Sequence, residues 1–283
     1  MERELTARTS LSSLEDCGPL DVFRSGWRHR ELILRLARHE IQARYRGSLL
    51  GTIWSVLIPL MMLAIYTLVF TFVFEAKFGG LSGGRGEFAL VLFAGLIVFN
   101  MLAECLNRAP GLMLENVSYI KKILFPLESL AWVMLLSALF NAAVSTAVLF
   151  VAYIVFLGLP PLTALLFPVA LVPLVVLSLG VSWLLASLGV FLRDLRQFTP
   201  VLTTVLLFMS PIFYPREAVP GALQPFLRIS PLAASIETAR AVLFKAEWPH
   251  WWLLLLNLVL AWLFAWFGLW WFTKTRKGFA DVV

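Results

Sequence analysis

Long apolar runs alternate with short charged junctions along the chain, and the first junction is the most informative. From Arg35 to Arg46 the sequence RLARHEIQARYR reads as an amphipathic helix. Arg35, Arg38, His39, Gln42 and Arg46 share one face by i, i+3, i+4 spacing, and Leu32, Leu34, Leu36, Ile41 and Tyr45 fall on the rest. The next stretch, Gly47 to Phe74, has no ionisable side chain except Tyr66. About 20 apolar residues suffice to cross a bilayer core. The pattern predicts a basic helix in the headgroup plane that leads straight into a membrane span.

Apolar runs of this kind predict six spans, at 49–74, 88–107, 130–157, 163–190, 198–214 and 249–272. Ser129 to Leu192 contains no Asp, Glu, Lys, Arg or His and is too long for one helix; Gly158-Leu159-Pro160-Pro161 cuts it into a hairpin of two. The fifth run is short and ends in SPIFYP, where Pro211 and Pro215 interrupt it. Of the 23 Lys and Arg residues, 17 border one side of these spans and six the other. The richer side is expected to be cytoplasmic, which places both termini inside. The chain then divides into a cytoplasmic segment, 1–48, a membrane domain, 49–272, and a cytoplasmic tail, 273–283. Trp248, Trp251 and Trp252 at one end of the last span, and Trp270 and Trp271 at the other, are expected interfacial anchors.

Composition agrees with the pattern. Hydrophobic residues make up 60% and charged residues 14%, with a mean hydropathy of +0.85. Soluble domains carry about 25% charged residues, so the bilayer is the expected solvent. The net charge of +6 raises a nucleic-acid reading, but the basic residues border the spans and form no single patch with readout groups. Cys17 and Cys105 both fall on the expected cytoplasmic side and are read as free thiols. Residues 1–20 contain no apolar signal core, so an uncleaved first span is expected.

Chemistry is sparse. None of the six lysines lies in a GxxxxGK[ST] phosphate loop, and His29, His39 and His250 are scattered. No nucleophile is paired with a base in the apolar core, and the buried ionisable groups an intramembrane enzyme or ion-coupled carrier needs are nearly absent. Energy for any transport is therefore expected from another polypeptide. The junction RAPGLMLENVSYIKKILFPLE, residues 108–128, is bounded by Pro110-Gly111 and Phe125-Pro126, and Asn116 to Leu124 can form a short amphipathic helix. It reads either as an ordinary basic loop or as a helix that docks into a partner and transmits its movement.

Taken in order, RYRGSLLGTIWSVLIPL, ENVSYIKKILFPLE and RDLRQFTPVLTTVLLFMSPIFYP resemble the permease subunit of polysaccharide exporters of the ABC-2 type, from about Leu32 to Lys277. Such exporters move O-antigen, capsule or teichoic-acid chains. One departure is Ser230-Pro231, where members often carry Asn-Pro. The resemblance implies an all-α integral membrane protein with six transmembrane helices, an N-terminal interfacial amphipathic helix and a re-entrant segment before the last span. It also implies a homodimer in the bacterial inner membrane, docked on two copies of an ATP-binding subunit. ATP and Mg would sit on that partner, with no cofactor or metal on this chain. The cargo would be a glycan linked to polyprenyl pyrophosphate. Export of a lipid or drug, and a non-transporting membrane scaffold, are the competing readings.

On this resemblance residues 112–124 match a coupling helix, with Glu115, Asn116, Tyr119, Lys121 and Lys122 as its candidate contacts. Residues 24–46 match a gate helix at the cytoplasmic entrance, and 216–247 match the re-entrant segment; Pro220, Pro225 and Pro231 separate stretches too short to cross a bilayer. Trp54, Met62, Tyr66, Phe70 and Phe74 form an i+4 row on the first span, which either packs against protein and lipid or lines a path along which sugar rings slide. Glu40 with Arg44 and Glu104 with Arg108 form i, i+4 pairs that either neutralise charge near the surface or hold the entrance together. Arg35, Arg38 and Arg46 either anchor the gate helix to anionic lipid or recognise a pyrophosphate.

Overall fold

The structure is a computed structural model that describes residues 18–48, 50–69, 87–121, 125–214 and 230–282. Among the described residues the fold is all-α, and five helical stretches are long and apolar enough to cross a membrane. The helices are α1 (Asp21–Arg28), α2 (Arg30–Arg44), α3 (Trp54–Leu68), α4 (Glu87–Arg108), α5 (Leu112–Glu115), α6 (Val117–Ile120), α7 (Ser129–Leu157), α8 (Phe167–Phe191), α9 (Leu195–Met209), α10 (Pro231–Phe244), α11 (Trp251–Thr275) and α12 (Phe279–Val282).

The centre of the fold is α4. Every residue from Phe88 to Phe99 is buried, as expected of a helix that is apolar on all sides. Around it stand α7, α8, α9, α10 and α3. The tightest pair is α8 with α11. A side chain at Gly268 would strike the Gly180 carbonyl, and one at Gly180 would strike the Ala265 backbone, so only small residues permit this approach. Ser187 and Thr275 share a hydrogen bond of 2.6 Å across the same seam. Trp183 lies fully buried beside it and donates through Nε1 to the Glu128 carbonyl at 3.0 Å.

The hairpin between α7 and α8 forms where expected. α7 ends at Gly158, whose φ of +89° suits a residue without a Cβ, and a short 3-10 turn from Leu162 leads into α8. The fifth expected span is shorter than a crossing. α9 has 15 residues, which at 1.5 Å per residue is about 22 Å against a hydrocarbon core of about 30 Å. Pro211 stops it, and the Ser210 amide makes its last helical bond, to the Leu206 carbonyl. Of the expected re-entrant segment, 216–229 lie outside the described residues. The remainder is α10, whose Ser230-Pro231 start is an N-cap in which Ser230 Oγ accepts from the Ala233 amide.

Both N-terminal helices dock on α7. Val22 of α1 is fully buried, and Gly26 lies against the Trp132 ring, where a Cβ would come within 2.8 Å of Cε2. Ile33 and Ala37 of α2 pack on Val133. The apolar side of α2 thus meets protein at these positions, while Leu34 stays exposed.

Candidate functional site: charged entrance, coupling segment and two exposed helices

The charged groups at the end of α4 meet those of α2. Arg44 donates to Glu104 at 2.6 Å, and Arg108 donates to Glu40 at 2.5 Å and to Glu104 at 3.2 Å. The Glu104–Arg108 pair forms along its helix as expected. For Glu40 and Arg44 the expected partnership is replaced, because each closes on α4. The reason is position: docking of α2 on α7 carries both side chains up against α4, where short charge-assisted bonds to partly buried partners outcompete a solvated pair along one helix. Asn141 of α7 donates to Glu104 at 2.8 Å, and Ser137 accepts from Arg44 at 3.1 Å. Two carboxylates and two guanidiniums thereby balance in a ring that ties α2, α4 and α7 together. Asn141 and Ser137 were missed in the sequence. The available signal was that Asn141 is the only Asn or Gln in the run from Ser129 to Leu192.

Arg35, Arg38 and Arg46, the remaining basic residues expected on a gate helix, form no ion pair with these groups. Arg35 and Arg38 are exposed, with Arg35 4.0 Å from an equally exposed Glu31. Arg46 lies beyond the end of α2, in the turn where Gly47 takes a φ of +84°.

Within its described residues, 112–121, the expected coupling segment is two short helical turns, the second starting just after Asn116 as expected; residues 122–124 lie outside the described residues. α5 and α6 are separated at Asn116, whose backbone leaves the helical region and whose side-chain amide donates to the Leu112 carbonyl at 2.8 Å. Asparagine competes for backbone partners in this way and breaks helices. Tyr119 stacks on Phe125 with ring centroids 4.4 Å apart, and Lys121 is exposed. Lys122 lies outside the described residues. Glu115 pairs with Arg196 at 2.7 Å, and the same guanidinium donates to the Gly111 carbonyl at 3.2 Å. A Cβ on Gly111 would collide with Arg196, so the arginine lies directly on the backbone there. Sequence reasoning counted Arg196 only as a basic loop residue.

The expected channel row is divided. On α3, where only Leu63 is buried, Met62 is exposed and Trp54 and Tyr66 are half-buried, Tyr66 packing against the core. Phe70 and Phe74 lie outside the described residues. A second exposed face runs along α9 through Phe198, Val201, Val205 and Phe208. Both helices rest on α4, and neither α3 nor the α9 face carries a charge between Trp54 and Leu68 or between Gln197 and Met209. Among the described residues no group of His, Cys, Asp or Glu is arranged to hold a metal ion. Cys105 is a buried free thiol; Cys17 lies outside the described residues.

A buried arginine stands at the opposite end of α4 from this ring. Arg240 of α10 is 7% exposed and donates to three backbone carbonyls: Val91 at 3.2 Å, Pro211 at 2.5 Å and Ile212 at 2.6 Å. The sequence offered no sign of this, since Arg240 reads there as one more loop charge.

Comparison with known proteins adds the family. The sequence profile described as ABC-2 type transporter matches residues 31–244. The chain is 24% identical over 230 residues to the O-antigen export system permease protein RfbA of Myxococcus xanthus, covering 81% of this chain and 86% of that one. It is 23% identical over 257 residues to a Klebsiella pneumoniae O-antigen export system permease protein RfbA, covering 89% and 95%. It is 24% identical over 221 residues to the polysialic acid transport protein KpsM of Escherichia coli, covering 77% and 83%. A multi-pass α-helical chain, matched in this way over three quarters of its length, belongs to the ABC-2 type transporter family, as a non-catalytic membrane permease whose ATPase activity resides on a separate partner.

Proposed function

We propose that this chain is the membrane-spanning subunit of an ATP-driven exporter that moves a lipid-linked polysaccharide of the O-antigen kind across the inner membrane. The observation that carries this reading is the near end-to-end match to permeases named for O-antigen and polysialic acid export. Two features of the chain support it. The exposed faces of α3 and α9 are apolar and uncharged, as suits a path for a bulky glycan that must slide without being trapped. The charged ring and the coupling segment lie at the same end of α4, where a soluble ATPase has access. In this reading the working unit is a homodimer bound to two ATP-binding subunits, with α9 and α10 completing a sixth crossing and a re-entrant segment, and both termini in the cytoplasm. Arg35, Arg38 and Arg46 receive the pyrophosphate of the carrier lipid or anchor the gate helix.

ATP binding shifts such a dimer only by favouring one of its conformations over the other. The 112–124 segment is the element through which that preference reaches the membrane, with Glu115, Asn116, Tyr119, Lys121 and Lys122 as its contacts. The test is affinity purification of the tagged protein followed by lipid and glycan analysis. Co-purification of a polyprenyl-linked glycan and an ATP-binding subunit is expected. Recovery of the ATPase with only phospholipid or a small amphiphile would replace the glycan reading by lipid or drug export.

A further inference from the structure

The outer half of α9 grips the hydrophobic core only through the half-buried Leu206 and Leu207. Of its 15 residues only Thr199 and Thr203 are buried, while Val205, Phe208 and Met209 are exposed. Polar bonds help to locate the helix: Arg196 on Gly111 and Glu115 at the start, and Thr203 Oγ1 donating to Asn107 at 3.0 Å in the middle. Beyond Met209 the chain turns at Pro211, and carbonyls past a helix end have no helical N–H to accept from. Arg240 supplies those donors. Its Nη1 and Nη2 hold the Pro211 and Ile212 carbonyls, while Nε holds Val91 in the second turn of α4.

A buried guanidinium is costly unless its donors are satisfied, and all three nitrogens of this one donate to backbone carbonyls, while the Glu237 carboxylate three residues earlier offsets its charge. Contacts to carbonyls fix where the chain lies without depending on which side chains it bears. The planar fork also matters, since a lysine ammonium presents its hydrogens from one point and cannot span three carbonyls spread over two elements. Gly95 leaves the space: a Cβ there would come within 2.9 Å of Arg240 Nη2. α10 is itself fixed to the α7–α8 hairpin, because Thr163 Oγ1 donates to the Val242 carbonyl at 2.7 Å.

We propose that Arg240 is a positioning residue for transport: it clamps the end of α9 remote from the charged ring to α4 and α10, and thereby sets the width of the path bordered by the exposed face of α9. The width assignment rests on the export reading above; the clamp does not. The experiment compares wild type, Arg240→Lys and Gly95→Ala at full length in lipid nanodiscs, by hydrogen exchange, and in cells, by surface glycan per permease at matched membrane levels. Gly95→Ala displaces the guanidinium and leaves the charge in place. Both variants are expected to exchange about tenfold faster within 206–214, the change that follows from losing one charge-assisted hydrogen bond, with α8 and α11 unchanged. Export per permease is expected to fall with them. Unchanged exchange at 206–214 overturns the clamp, and so does acceleration spread evenly over α4, α8 and α11, which would make Arg240 a general core residue. Exchange uses no glycan, so it decides the clamp whatever the cargo. Local exchange with undiminished export would overturn the width assignment.

Discussion

Replacing Glu104 by alanine should loosen α2 from α4 and α7, and the structure sets how far. Glu104 accepts from Arg44 at 2.6 Å, Arg108 at 3.2 Å and Asn141 at 2.8 Å. The last two bonds lie between α4 and α7 or along α4, so only the Arg44 bond holds α2. A hydrogen bond between charged groups contributes about 1.5–3 kcal/mol when sheltered. Arg44 is about one-third exposed and Glu104 less than a fifth, so solvent reduces this to about 1–2 kcal/mol. At 1.4 kcal/mol per tenfold, the population of undocked α2 should rise about 5- to 30-fold. Limited trypsin cleavage at Arg35 and Arg38 in nanodiscs reads that population, because cleavage of a helix needs local opening that is fast relative to cutting. The substitution leaves every tryptic site in place. Glu31→Gln is the control: the Glu31–Arg35 pair is 4.0 Å long with both side chains about four-fifths exposed, and its loss should change cleavage less than twofold. Equal cleavage of the two variants would refute the argument that burial makes the ring different from a surface pair.

Other outcomes follow from the same geometry. Gly268→Val places a side chain into the Gly180 carbonyl and should lower stability by about 1–3 kcal/mol, seen as a lower melting temperature of the purified protein; an unchanged melting temperature would show that α8 and α11 separate freely. Glu115→Arg and Arg196→Glu should each reduce export per ATP hydrolysed in the reconstituted complex, and the double variant should recover much of it; no recovery would remove the pair from the relay. Arg→Lys changes at Arg35, Arg38 and Arg46 should preserve export if these residues only anchor the helix, and lower it toward the level of the Arg→Ala changes if they bind pyrophosphate. Cysteines at Ser82 and Ala222 should label from the periplasm in intact cells and one at Ser118 should not; the reverse would invert the orientation.

The sequence by itself determined the class of protein and the course of its helices. Runs such as Ser129 to Leu192, with no ionisable group, can only be folded in lipid or a deep core, and Gly158 with Pro160 and Pro161 can only be a turn. These are properties of a residue and its immediate neighbours, so they are legible without a fold. Motif order likewise indicated the family before any contact was known. Pairing was not legible in this way. Glu40 and Arg44 have the spacing of a partnered couple, yet each bonds to α4, because the docking of α2 on α7 decides which charges meet. The break at Asn116 depends on its amide finding the Leu112 carbonyl, whereas the shortness of α9 before Pro211 was already legible in the sequence. Arg240 is the clearest case. Positive charge in a loop is ordinary in sequence, and only the convergence of α4, α10 and the turn after α9 brings three carbonyls to one guanidinium. Local chemistry decides which segments become helices, whereas the partners of a buried charge are decided by segments distant along the chain, whose arrival is a property of the packed whole.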